Sequence, residues 1–137
     1  MANKIANRKV ICDTLLEAAN DDAAWENAIA TLTGAARRIL GEYGAPVLGN
    51  DDGLWEALAA GAAASGELMC RVPLVPDARS KIRGDVSDLL NTSLAETGGM
   101  VTAALFIEEF VEGRPWMHID AAGPLWLDHD MPYTPKG

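Results

Sequence analysis

Three short clusters in this 137-residue chain have side chains capable of chemistry. His118 and Asp120 flank Ile119 in the run Trp116–Ala121. On a strand, residues two apart face the same side, so an imidazole and a carboxylate stand together as two potential metal ligands. Two ligands alone hold a metal poorly, and the plain reading of this run is a core strand. His129 lies between Asp128 and Asp130, but in a Pro-rich tail such a polar cluster reads as a solvated loop. Glu108, Glu109 and Glu112 read most simply as the wet edge of a helix. Cys12 and Cys70 form no CxxC pair, and a zinc knuckle would need more ligands at close spacing. They are expected to be reduced thiols of a cytoplasmic protein, since no secretory leader is evident.

The elements that would position these groups follow from periodicity. Arg8–Ala19 reads as a helix with Ile11, Leu15 and Ala18 on one face. Ala28–Thr33 is a short apolar, β-branched run and predicts a buried strand. Gly34 then leads into a helix over Ala35–Leu40, closed by Gly41. Ala45–Leu48 is a second strand. Asn50-Asp51-Asp52 supplies N-cap chemistry for a helix to about Ser65, with Leu54, Leu58 and Ala62 facing the core and Gly66 as its stop. Pro73 and Pro76 keep Leu68–Val75 extended. Asp77–Arg83 and Asp85–Leu90 are expected as helical turns split at Gly84. Met100–Glu112 has the clearest helical pattern, apolar on most sides and therefore buried. Trp116–Ala121 is the next strand, and residues 122–137 are irregular. Trp25, Trp55, Trp116 and Trp126 read as core or subunit-contact residues.

Strands alternating with helices define an α/β class, a short mainly parallel or mixed sheet with helices on both faces. In such sheets, sites form where strand ends meet the loops that follow. Thr31–Gly34 and Asp120–Gly123 are therefore the places to look. On residue type alone, Thr31-Leu32-Thr33-Gly34 reads first as a strand-to-helix turn that needs a glycine backbone.

Composition narrows the partners. Twenty acidic residues against 11 Lys+Arg give a net charge of -9, which repels phosphate backbones and anionic lipid. Nucleic-acid and membrane binding are not expected. The longest apolar stretches, Leu58–Ala64 and Met100–Ile107, are too short to span a bilayer. With 49% hydrophobic and 23% charged residues, the chain suits one domain, 1–137, with one core.

Taken in order, several segments resemble the leucyl (cytosol) aminopeptidase family. They are Asp13-Thr14-Leu15, Ala30-Thr31-Leu32-Thr33-Gly34-Ala35 and Asn50-Asp51-Asp52, then Arg71-Val72-Pro73-Leu74 and Ser87-Asp88-Leu89. Gly98-Gly99 follows, leading into Thr102-Ala103-Ala104-Leu105-Phe106, then Glu109-Phe110-Val111. The series closes with Pro115-Trp116-Met117-His118-Ile119-Asp120-Ala121-Ala122-Gly123-Pro124 and Tyr133-Thr134-Pro135-Lys136-Gly137. The resemblance runs from Arg8 to the C-terminus and implies the later part of the catalytic domain of a hexameric enzyme. That family uses two divalent metals, such as zinc or manganese, to remove N-terminal residues from peptides. Two adjacent cations polarise the scissile carbonyl and lower the pKa of a shared water, and several carboxylates must hold them.

At those carboxylates this chain departs from the pattern. The family's metal loop reads NTDAEGR, and the matching stretch here is Ala2-Asn3-Lys4-Ile5-Ala6-Asn7-Arg8. Lys4 stands at one metal-binding carboxylate position and Ala6 at another. Of the catalytic set only Arg8 matches, and the resemblance implies contact there with bicarbonate or with the carboxyl-side chemistry; by residue type alone it is a solvated charge. The upstream segments with the family's other ligands and its catalytic lysine have no counterpart, so a truncated domain is expected. No cofactor is expected for this chain. The resemblance further implies that Thr31, Leu32 and Gly34 line the substrate cleft and hydrogen-bond the peptide backbone. It implies too that Ala122 and Leu125 floor the pocket for the N-terminal side chain. Three functions stay open: a non-catalytic domain for assembly or interaction, a fragment of a working enzyme completed by another chain, and a small peptide-binding module. The implied partners are peptide N-termini and further copies of the chain, because a partial sheet leaves edges and apolar faces uncovered.

Overall fold

A computed structural model describes residues 26–92, 97–125 and 127–130. The expected helix over Arg8–Ala19, and with it Lys4, Ala6, Arg8 and Cys12, lies outside the described residues, as do Trp25 and Trp126. Among the described residues four strands form one mixed sheet in the order β1-β4-β2-β3. They are β1 (Glu26–Ala30), β2 (Gly44–Gly49), β3 (Leu68–Arg71) and β4 (Trp116–Asp120). β1 runs parallel to β4, β2 runs parallel to β3, and the two pairs meet antiparallel between β2 and β4. The carboxyl ends of β1 and β4 therefore open on one edge of the layer, and those of β2 and β3 on the opposite edge.

Helices α1 (Gly34–Leu40), α2 (Asp52–Ser65) and α3 (Gly99–Glu108) cover both faces, with a 3-10 helix at Pro76–Ile82. α3 is nearly all apolar and packs with α1 on one face, around Leu32, Ala36, Leu48, Ala104 and Trp116. Leu54, Trp55 and Leu58 of α2 close the other face over Ala45, Val47, Met117 and Ile119. A smaller cluster joins Ile82 of the 3-10 helix to Leu105 and Phe106 of α3. The strand residues of β2 and β4 are buried throughout, as a sheet covered on both sides requires. At Gly49 a Cβ would lie 2.3 Å from the Trp116 carbonyl oxygen, so the β2–β4 approach itself demands glycine. Among the described residues no helix is long and apolar enough to cross a membrane.

The helix ends obey their sequence signals. The Asp51 carboxylate accepts the Leu54 N–H at 2.8 Å, and Gly66 ends α2 in the left-handed region at φ 78°. Four expectations need correction. β1 ends at Ala30 rather than Thr33, because the N–H groups of Leu32 and Thr33 go to a side chain of β4 instead of a neighbouring strand. α3 stops at Glu108, and the chain turns out through Glu112 at φ 53° and Gly113 at φ 76°. Asp85–Leu90 is no helical turn; an antiparallel bridge pairs Arg83 with Leu89, and Leu90 N–H donates to the Ile82 carbonyl at 2.7 Å. Glu108 and Glu109 are not a wet edge either. Both are largely buried and share the Arg79 guanidinium, at 2.5 Å each.

Candidate functional site

The carboxyl ends of β1 and β4 converge on one carboxylate. Asp120 is fully buried and receives the Leu32 N–H at 3.1 Å, the Thr33 N–H at 3.1 Å and the Thr33 hydroxyl at 2.7 Å. The Ala122 N–H reaches it at 3.4 Å. Thr33 in turn caps α1, its Oγ1 accepting the Ala36 N–H at 3.3 Å. The Ala121 N–H donates to the Ala30 carbonyl at 2.9 Å, tying the two strand ends together. One acidic side chain thus pins the turn Thr31–Gly34 from a strand 88 residues later in the chain. Among the described residues its partners are neutral donors, and a buried carboxylate needs such hydrogen bonds.

Around this pin the sequence-selected residues divide. Thr31 and Gly34 are exposed at the edge, and Ala122 is half-buried beside them. Leu32 is only 3% exposed and packs in the α1–α3 core, leaving its backbone at the turn. Leu125 is 64% exposed and lines a separate cleft of about 510 Å³ with Ile29, Tyr43, Leu68 and Ile119. Thr31, Leu32, Gly34 and Ala122 are not among the walls of that cleft. Arg8 lies outside the described residues.

His118 and Asp120 do share a strand face, yet both are fully buried and Asp120 is committed to the turn. His129 approaches Glu42 at 3.5 Å, and Asp128 pairs with Arg37. Among the described residues no group of three or more His, Cys, Asp or Glu is placed to hold a metal ion. The side chain that sequence reasoning undervalued is Asp120. Its signal was a carboxylate on an inward strand face beside Trp116 and His118, which demands a concentrated set of donors.

A mixed sheet layered with helices, with a pinned strand-to-helix turn at one end, defines an α/β domain segment. The description "cytosol aminopeptidase family, catalytic domain" matches residues 5–137, and the chain belongs to that family. A probable cytosol aminopeptidase of Solibacter usitatus (strain Ellin6076) is 36% identical over 130 residues, 95% of this chain and 27% of the relative. One from Synechococcus sp. (strain JA-3-3Ab) is 43% identical over 109 residues, 80% of this chain and 21% of the relative. Among solved structures, the bottromycin maturation enzyme BotP in complex with Mn superposes with a TM-score of 0.86 at 35% identity, over 95% of this chain and 30% of BotP. A mutant tomato leucine aminopeptidase gives 0.84 at 35% identity, over 88% of this chain and 24% of the other. The chain spans about a quarter of the length of the curated relatives it matches.

Whether the family's metals fit turns on Lys4 and Ala6, which lie outside the described residues, Lys4 just before the matched span 5–137. A lysine ammonium at Lys4 repels a divalent cation, and Ala6 offers no donor atom. Asp120, the carboxylate nearest the turn, already has both oxygens hydrogen-bonded.

Proposed function

We propose that this chain is a non-catalytic member of the aminopeptidase family that keeps a peptide-facing turn and serves assembly or interaction instead of hydrolysis. What supports this reading is that the resemblance puts Lys4 and Ala6 where the family's metal loop has carboxylates. A dinuclear site needs anionic oxygens at those positions to generate a nucleophile or polarise a carbonyl. What remains is the turn Thr31–Gly34, held in shape by Asp120 and exposed at Thr31 and Gly34. A peptide N-terminus lying against that turn is the partner it suits. The names of the relatives favour the cytosol as the place of action.

Assembly is supported by the cleft that contains Leu125. Ile29, Tyr43, Leu68 and Leu125 are 52–67% exposed and border one another there, an apolar surface of the kind that recruits another chain. We read that partner as a second copy, and light scattering showing only monomer at micromolar concentration would count against it.

Hydrolysis is tested directly. The chain is dialysed against zinc or manganese, its metal content measured by plasma mass spectrometry, and its turnover of leucine p-nitroanilide recorded. Substoichiometric metal with no turnover is expected; stoichiometric metal with turnover overturns the proposal. The retained turn, together with a span of about a quarter of the relatives, favours one other reading, a site completed by another chain. Turnover appearing only on mixing with the upstream part of a relative's catalytic domain would support that reading.

A further inference from the structure

The opposite edge of the sheet, at the carboxyl ends of β2 and β3, carries a second cleft of about 520 Å³. Pro73, Leu74, Pro76 and Leu105 give it an apolar lining, Leu74 half-buried and Leu105 fully buried. Its rim holds charges of both signs: Arg71 pairs with Asp52 at 2.6 Å, and Arg79 pairs with Glu108 at 2.5 Å. Here β2, α2 and β3 form a parallel crossover unit, and α/β sheets accept ligands outside the carboxyl ends of such strands. The volume lies within the range of small-molecule sites, roughly 300–1,000 Å³.

The charge pattern selects the ligand. Arg71 faces Asp52, and Arg79 is shared by Glu108 and Glu109, so a phosphate or other dianion would meet these carboxylates as well as the two arginines. A cation would meet the arginines. A molecule carrying both charges replaces each partner with its own group, its carboxylate on a guanidinium and its ammonium on a carboxylate. The exchange is easy at the Arg71 end, since the Asp52 side chain is 84% exposed and such a pair contributes little to stability. Leu74 and Leu105 beneath the rim then receive an apolar side chain. We propose that this cleft binds a small zwitterion with an apolar side chain, a free α-amino acid, at a site separate from the Thr31–Gly34 turn. The inference does not depend on whether that turn binds peptides.

The test is an amide-resolved NMR titration of the chain with L-leucine, leucinamide, 4-methylpentanoate and inorganic phosphate. L-Leucine is expected to shift the amides of Val72, Leu74 and Leu105, with Kd on the order of 1 mM. Leucinamide lacks the carboxylate and 4-methylpentanoate the ammonium, so each is expected to bind at least about tenfold more weakly. Arg71→Gln is expected to abolish the shifts while leaving the rest of the spectrum in place, because its partner is exposed. Arg38→Gln, on α1 at the other edge, is expected to leave them unchanged. The proposal is overturned if leucine shifts nothing at this edge, if Arg71→Gln binds like the wild type, or if phosphate or either half-ligand binds as tightly as leucine.

Discussion

Replacing Asp120 by alanine is the sharpest test of how the turn is held. The substitution leaves the Leu32 N–H, the Thr33 N–H and the Thr33 hydroxyl without their acceptor, while Leu32 and Thr33 stay 3% and 5% exposed. Each stranded buried donor costs about 1–3 kcal/mol, and the bonds now made to a charged acceptor are individually stronger than neutral ones. Water entering the vacated volume recovers part of this, so the loss is expected at about 3–5 kcal/mol, a large share of a domain's usual margin of about 5–15. Asp120→Asn separates charge from shape. Its remaining oxygen still accepts from Leu32 and Thr33, whose N–H groups lie 3.1 and 3.3 Å from Oδ1, but its amide nitrogen confronts the Thr33 hydroxyl. About 1–3 kcal/mol is expected for Asn. Thr33→Val removes one bond to Asp120 and the α1 cap together, for about 1–2 kcal/mol. Urea unfolding followed by tryptophan fluorescence, at constant m-value, ranks the three. An Asp120→Ala variant within about 1 kcal/mol of the parent, less than one stranded donor should cost, would refute the pinning argument.

Two glycines give opposite signs under the same assay. Gly49→Ala places a Cβ 2.3 Å from the Trp116 carbonyl oxygen and 3.0 Å from the Met117 Cα, so soluble folded protein is expected to be lost. Gly61→Ala, exposed in the middle of α2 with nothing within 4 Å, is expected to stabilise by about 0.5–1 kcal/mol. Arg79→Met unties the 3-10 helix from α3; because that guanidinium is 37% exposed, about 1 kcal/mol is expected, shrinking in 1 M salt on repeating the unfolding curve. Leu125→Asp, placed among Ile29, Tyr43 and Leu68, is expected to shift any dimer toward monomer in sedimentation equilibrium without changing the monomer's unfolding midpoint.

Local chemistry was legible in the sequence, and long-range partners were not. Asp51 and Gly66 bound α2 through contacts within four residues, so their types alone mark its ends. The apolar run of Trp116–Ala121 announced β4, and its alternation put His118 and Asp120 on one face. The end of β1 could not be read locally, since what stops it at Ala30 is a carboxylate far along the chain claiming the next two N–H groups. Glu108 and Glu109 looked like a solvated edge for the same reason, because Arg79 reaches them from 29 and 30 residues earlier. The strand ends and Gly34 pointed to the turn that the structure pins with Asp120. That Leu125 falls in another cleft depends on how the chain turns after Asp120, which residue types do not specify.

The buried anchor also bears on whether the fold needs metal. In the described region the turn is held by Asp120 and neutral donors, with no cation in the balance. A domain whose fold includes metal sites gains RT ln(1 + [L]/Kd) from the ion, about 4 kcal/mol at a thousandfold excess over Kd. For a chain of this size, 1 kcal/mol moves Tm by roughly 2–8 °C, so such a site would raise Tm by about 10 °C or more. With Lys4 and Ala6 at the carboxylate positions, calorimetric scans in millimolar EDTA and in millimolar zinc or manganese are expected to superpose. A Tm that rises steadily with metal concentration would mean that donors elsewhere hold an ion in the folded state, and the non-catalytic reading would fall with that result.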